Sequence, residues 1–159
     1  MGKAKKKKAP TSNVLSDNRQ ARHLYHILET YEAGIELVGT EVKSIRQGRV
    51  NLRDGFTVIR DGEAWLNNVH ISPGLTTSQL LNHEPRRPRR LLLHKQEINK
   101  LIGQVEQKGL TLVPLKMYLK NGWVKVSIAL AKGKKLHDKR EDLKQKDAKR
   151  DMERALKNY

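Results

Sequence analysis

Apolar and polar residues alternate with a period of two along much of the chain, most clearly from Leu112 to Leu130. Asn121-Gly122, two residues that tolerate positive φ, separates two such runs there and predicts a type I′ β-hairpin. Counting outward from the turn, Leu119 faces Val124, Met117 faces Val126 and Leu115 faces Ile128, which makes this side a core face. The other side pairs Lys120 with Trp123, Tyr118 with Lys125 and Lys116 with Ser127. Two aromatic rings among three ammonium groups suit RNA, since lysines neutralise phosphates and flat rings stack on unpaired bases. The same pattern also describes an ordinary outer sheet face with lysine stems laid along the rings. Periodicity leaves both readings open.

Upstream, the run His23 to Tyr31 reads as a strand, Glu32-Ala33-Gly34 as a turn, and Ile35, Leu37 and Val38 as a second short strand. Thr40 is placed to cap a short helix through Arg46 that Gly48 ends, with Val42 and Ile45 as its apolar edge. A second hairpin, Phe56 to Arg60 with Glu63 to Val69, turns at Asp61-Gly62. Ser72 to Arg90 has no sustained period and carries Pro73, Gly74, Pro85 and Pro88, so it is a long connection. Leu91, Ile98, Leu101, Ile102 and Val105 then recur at helical spacing up to a C-cap at Gly109. Short antiparallel strands with one helix before the last hairpin predict a mainly β fold. Its form is a small antiparallel barrel of the oligonucleotide-binding (OB) type with flanking short helices.

Charge adds the two ends. The 159 residues hold 33 Lys and Arg against 17 Asp and Glu, a formal charge of +16. Met1 to Pro10 has five lysines and no acid, and residues 131–159 have eleven basic and six acidic side chains, leaving 17 basic and 11 acidic for 11–130. Three segments follow: a disordered basic arm over 1–12, a barrel domain over 13–130, and a basic tail over 131–159, disordered when free. Met152, Ala155, Leu156 and Tyr159 share one helical edge, too narrow to hold a helix alone. A polyanionic partner is implied. No apolar run approaches the roughly 18 residues of a spanning helix, and neither a secretory signal nor a myristoylation motif starts the chain. The expectation is a cytoplasmic chain without membrane contact.

The sequence shows no sign of catalysis or of a cofactor. It has six histidines but no HExxH, and His23 and His26 point to opposite faces of the predicted strand, so no metal site is expected. Absence of cysteine removes zinc ribbons and thiol nucleophiles. His137 beside Asp138 lies in a segment too loose for the fixed geometry that chemistry needs.

Several strings, in order, resemble one family, the SsrA-binding protein or small protein B. They are Asn18-Arg19-Gln20-Ala21-Arg22-His23, Tyr31-Glu32-Ala33-Gly34, Gly39-Thr40-Glu41-Val42-Lys43-Ser44-Ile45-Arg46 and Arg60-Asp61-Gly62-Glu63-Ala64. Further on come Arg90-Leu91-Leu92-Leu93, Lys120-Asn121-Gly122-Trp123-Val124-Lys125, and Ala131 through Gly133-Lys134-Lys135 to His137-Asp138-Lys139-Arg140. The resemblance implies a bacterial, monomeric RNA-binding protein that grips the tRNA-like domain of transfer-messenger RNA near its elbow. It would deliver that RNA to stalled ribosomes for trans-translation, the rescue reaction that tags incomplete proteins. The alternative is a general single-stranded RNA binder on the same fold. Family RNA-binding residues map onto Glu32, Leu92 and Lys125, and onto Asn18 and His23, with Arg22 in the same string. The hairpin adds Lys116, Tyr118, Lys120 and Trp123; Leu92 reads equally as core. In the tail, Asp138, Lys139 and Arg140 match the family's functional triplet. With Lys134, Lys135, His137, Met152 and Leu156 they would enter the small-subunit decoding region and mRNA channel and become helical there. Ala155 departs from the family pattern, which has two larger apolar residues at Ala155-Leu156.

Overall fold

The computed structural model describes residues 13–75 and 78–158. The arm expected over Met1 to Ser12, and Tyr159, lie outside them. The elements run β1 (Val14–Asp17), α1 (Arg19–Leu24), β2 (Tyr25–Ile35), α2 (Gly39–Arg46), β3 (Val50–Asn51), β4 (Phe56–Arg60) and β5 (Glu63–Asn67). They continue as β6 (His70–Ile71), β7 (Arg89–Leu92), α3 (Lys95–Lys108), β8 (Thr111–Lys120), β9 (Trp123–Gly133) and α4 (Leu136–Lys157). Seven strands pair antiparallel in the order β1-β8-β4-β5-β7-β2-β9, and β9 also pairs with β8, so the sheet curls back on itself. The β4–β8 link is a single residue pair, Thr57 with Leu112, which leaves the barrel open along that seam. A groove of about 580 Å³ marks the opening, with Phe56 and Val58 on one side and Ile102 and Val105 of α3 on the other.

The hairpin forms as its turn dictates. Asn121 and Gly122 have φ of 51° and 79°, and the pairs Lys120–Trp123, Leu119–Val124, Tyr118–Lys125, Met117–Val126 and Lys116–Ser127 follow. The register then shifts. Pro114, not Leu115, faces Ile128, because a bulge falls between Pro114 and Lys116 where proline has no N–H for the ladder. Leu115 therefore leaves the main core for a smaller one with Ala21, Val113, Ala129 and Ala131, beneath α1. Its carbonyl accepts the Asn18 N–H at 2.7 Å.

The first predicted strand is corrected at its start. Asn18 caps α1 by accepting the Ala21 N–H (3.1 Å), so His23 is helical and the strand begins at Tyr25. Glu32-Ala33-Gly34 is no turn. β2 runs straight through it, paired to β9 as far as Gly34 and to β7 at Gly34 and Ile35, and no second strand occupies Ile35 to Val38. The α2 cap also differs: the Glu41 carboxylate takes the Val38 N–H (3.0 Å), while the Thr40 hydroxyl pairs with His83 (2.8 Å). Leu91 belongs to β7, not to a helix, because backbone pairing with β2 and β5 holds it, and α3 ends at Gly109 (φ 60°) as its spacing predicts. The second hairpin stops at Asn67, one residue before the left-handed Asn68.

The start of the tail differs from expectation. β9 runs on to Gly133, beyond the boundary drawn at Leu130, because Ala131, Lys132 and Gly133 pair with β2. The segment after it is a helix, α4, with no buried residue, held at its base by the His26–Asp138 contact and the Lys134–Asp142 ion pair rather than by an apolar edge.

Arg86-Arg87-Pro88-Arg89-Arg90, which reads as the end of a loose connection, turns Arg89 inward. Glu41 and Arg89 are both fully buried and ion-paired; Arg87 joins them, and Arg89 also donates to Val69 O (2.7 Å) and Pro85 O (3.1 Å). Burial alone would raise the Glu41 pKa, but bonds from Arg87, the Val38 N–H and Arg89 outweigh it and hold the carboxyl below its ordinary 4.5. The group's stabilisation is therefore present above that value and lost as pH falls through the lower value it has in the fold. Glu41→Ala, which leaves Arg89 buried without its counter-ion, should cost about 3–5 kcal/mol in urea unfolding at neutral pH. It should also flatten the acid limb of the stability curve.

Candidate nucleic-acid interface

Alternation along neighbouring strands builds one face from distant residues. Leu92 of β7 pairs with Gly34 of β2, Gly34 with Lys125 of β9, and Lys125 with Tyr118 of β8. The next row is Glu32, Ser127 and Lys116. The four residues of the first row thus cross the outside of the sheet side by side. Leu92 is 47% exposed, which decides its open reading in favour of the surface. It lies over Gly34, where an added Cβ would come within 3.2 Å of the Leu92 Cβ. Gly34 is the member of the face that sequence reading missed, having taken it for a turn residue. A glycine between two apolar strand runs was the available signal.

Glu32 explains itself here. Its carboxylate accepts the Tyr118 hydroxyl and the Lys120 ammonium (3.0 Å). The Tyr118 hydrogen bond, then that of Lys120, holds the Glu32 pKa below the ordinary glutamate value. Burial and the bond to Glu32 push the Tyr118 phenol well up, so it stays neutral at any physiological pH. Lys116 Nζ sits 5.7 Å from the Tyr118 ring centroid. Trp123 is 73% exposed beside the turn. The face is a set of cations and rings around one acid, and that acid fixes a ring and an ammonium in place.

Of the sequence-predicted residues, Glu32, Leu92, Lys116, Tyr118, Lys120, Trp123 and Lys125 come together, while Asn18, Arg22 and His23 do not join that row. Lys125 and Ser127 are followed at period two by Ala129 and Ala131, which α1 covers, so α1 sits at the far end of the same strands. Asn18 is buried, and its amide is spent on Leu52 O (3.2 Å), Pro114 O (2.9 Å) and the α1 cap. That leaves it to place α1, not to touch a ligand. Arg22 pairs with Asp17 at 2.7 Å, and His23 is half-buried.

The tail starts at the end of β9 away from the turn, about 33 Å along the strand at roughly 3.3 Å per residue. Asp138 contacts His26 (3.4 Å), not its neighbour His137, which pairs with Glu141 (3.1 Å). Lys134 is nearly enclosed and bonded to Asp142. Lys139 and Arg140 are at least partly open to solvent, as are Lys135 and His137, while Met152 and Leu156 are strongly exposed. Among the described residues no cluster of His, Asp or Glu could hold a metal ion, and no helix is long and apolar enough to cross a membrane.

A small open barrel that carries exposed rings among lysines on one sheet face, and hands its last strand to a basic helix, defines an RNA-binding protein of the OB class. The family model described as "SmpB protein" matches residues 15–158, and the chain belongs to that family. It is 72% identical over 146 residues to the SsrA-binding protein of Nostoc punctiforme, covering 92% of this chain and 94% of that one. It is 73% identical over 144 residues to that of Thermosynechococcus vestitus, covering 91% and 95%. Among solved structures, a chain described as "tmRNA-SmpB: a journey to the center of the bacterial ribosome" is 52% identical, with a TM-score of 0.66, covering 83% of this chain and 95% of that one.

Glu32→Gln removes the negative acceptor from the Tyr118 hydroxyl. An alkaline titration of tyrosinate absorbance should then show one tyrosine ionising at lower pH than in the unmodified protein, with burial keeping it above the ordinary value.

Proposed function

We propose that this chain binds the tRNA-like domain of transfer-messenger RNA through the Leu92–Gly34–Lys125–Tyr118 face and carries that RNA to stalled ribosomes for trans-translation. The observation that carries this reading is the convergence of Glu32, Leu92 and Lys125, matched separately by family strings, with the hairpin lane of lysines and rings. Lysines neutralise phosphates on either side of a bend in the RNA. Trp123, Tyr118 and Leu92 offer apolar surface to bases or riboses left unstacked in its loops. Glu32 would repel a bare phosphate. Its role is to hold Tyr118 and Lys120, so the ring presents its face and the ammonium stays in the lane.

The tail does a separate job. With no codon in the decoding region, a basic helix fits a channel lined by ribosomal RNA phosphates, and Lys139 and Arg140 follow that wall while Met152 and Leu156 dock in an apolar recess. The chain acts as a monomer in the cytoplasm and leaves the RNA uncut.

Mobility-shift binding across several salt concentrations tests the face. Lys125→Ala should lower the slope of log affinity against log salt by about 1. Trp123→Ala should cost about 1–3 kcal/mol through lost stacking. Equal competition by unstructured RNA of the same length would instead identify a general single-strand binder. Neutralising Asp138, Lys139 and Arg140 together should leave RNA affinity intact and abolish alanine transfer to the nascent chain on ribosomes stalled without a codon.

A further inference from the structure

The root of α4 is tied to the barrel by contacts that none of the roles above requires. The Lys134 N–H donates to Leu24 O at 2.9 Å, one residue past the end of β9. The Lys134 side chain is only 8% exposed, and its ammonium bonds both the Arg22 carbonyl (3.3 Å) and the Asp142 carboxylate. One turn earlier, His26 Nε2 lies 3.4 Å from Asp138 Oδ2, and the same oxygen accepts the Lys135 N–H at 3.3 Å. Asp138 and Asp142 are four residues apart, on one face of the helix. Asp138 reaches the barrel through His26 and Asp142 through the enclosed Lys134, so these two acids face inward and leave Glu141, Lys139 and Arg140 to the other sides.

We propose that His26 is a positioning residue for the tail: with the enclosed Lys134 it fastens the first two turns of α4 to α1 and β2, and so fixes the direction in which the helix leaves the barrel. The consequence is leverage. α4 has 22 residues, about 33 Å at 1.5 Å per residue. A swing of about 10° at its base would move Met152 by roughly 4 Å and Leu156 by roughly 5 Å, at 1.5 Å of rise per residue. A latch at the root therefore sets where the far end meets its target, relative to RNA held on the sheet face. It also sequesters two of the tail's six acids, so the free sides of α4 are more cationic than its composition suggests. The functional consequence rests on the tail reading given above, but the latch itself is a property of the free protein.

The chain has no cysteine, so spin labels can be placed at will on the full-length protein. Labels on Gln107→Cys of α3 and Lys149→Cys of α4, both exposed, report the barrel-to-tail distance by pulsed electron resonance. The unmodified background should give one narrow distance distribution. His26→Ala combined with Asp142→Asn should broaden it, and His26→Gln alone, which keeps a side-chain N–H donor near Asp138, should keep it narrow. A broad distribution in the unmodified background, or one unchanged by the double substitution, overturns the latch. Alanine transfer and affinity for the tRNA-like RNA are measured on the same variants. A double variant that broadens the distances and retains RNA affinity should slow transfer. If all tail variants, including the Asp138-Lys139-Arg140 neutralisation, transfer normally while the distances respond as expected, the latch stands and the tail function falls.

Discussion

Two left-handed residues at the tip of β8 and β9 allow those strands a single register, and most of the molecule hangs on it. With Asn121 and Gly122 fixed, each side chain of the hairpin is assigned to the inside or the outside. A slip of one residue would put Met117, Val126 and Ile128 in water and Lys125 and Tyr118 in the core. The bulge at Leu115 changes that assignment once, in a useful place. Above it the outer face is free and carries cations and rings; below it the outer face is apolar and takes α1. Asn18 then reaches across to Pro114 and Leu52 and fixes the helix there.

The same register carries the chemistry to strands that have no part in the hairpin. β9 is paired on both sides, so its outer residues are lined up against those of β2 as well as β8, and β2 passes the alignment on to β7. Glu32 can bridge to Tyr118 and Lys120 only because three strands agree about which side is out. Gly34 contributes by having no side chain: bare backbone between Leu92 and Lys125 keeps the row shallow. At the opposite end of β9, the ladder runs out into Lys134, and the tail begins where the last backbone hydrogen bond to the barrel is made.

The features legible in the sequence were those set by neighbours in the chain. The Asn-Gly and Asp-Gly turns, the lane beside the first of them, the α3 stop at Gly109 and the fold class all follow from local pattern. What local pattern missed depends on distant partners. Glu32-Ala33-Gly34 looks like a turn because Gly34 breaks the apolar run, yet β9 and β7 flank it and hold it extended. Leu91 has helical spacing to Ile98 but is claimed by strand pairing. The Arg86–Arg90 run reads as the end of a long connection, and only the buried Glu41 on α2 explains why Arg89 is inside. The contacts of Asp138 and Lys134 link the tail to His26, Arg22 and Leu24, a separation of over a hundred residues that no periodicity encodes.

The proposed RNA-binding surface is the outer face of β7, β2, β9 and β8, apart from both the open seam beside α3 and the tail. Amide chemical-shift mapping of the full-length, isotopically labelled protein on addition of the tRNA-like RNA domain tests this most directly. The largest changes should fall at Glu32, Gly34, Leu92, Tyr118, Trp123 and Lys125, with α4 beyond its second turn little affected. Changes centred instead on Phe56, Val58, Ile102 and Val105 around the seam, or spread along α4, would contradict it.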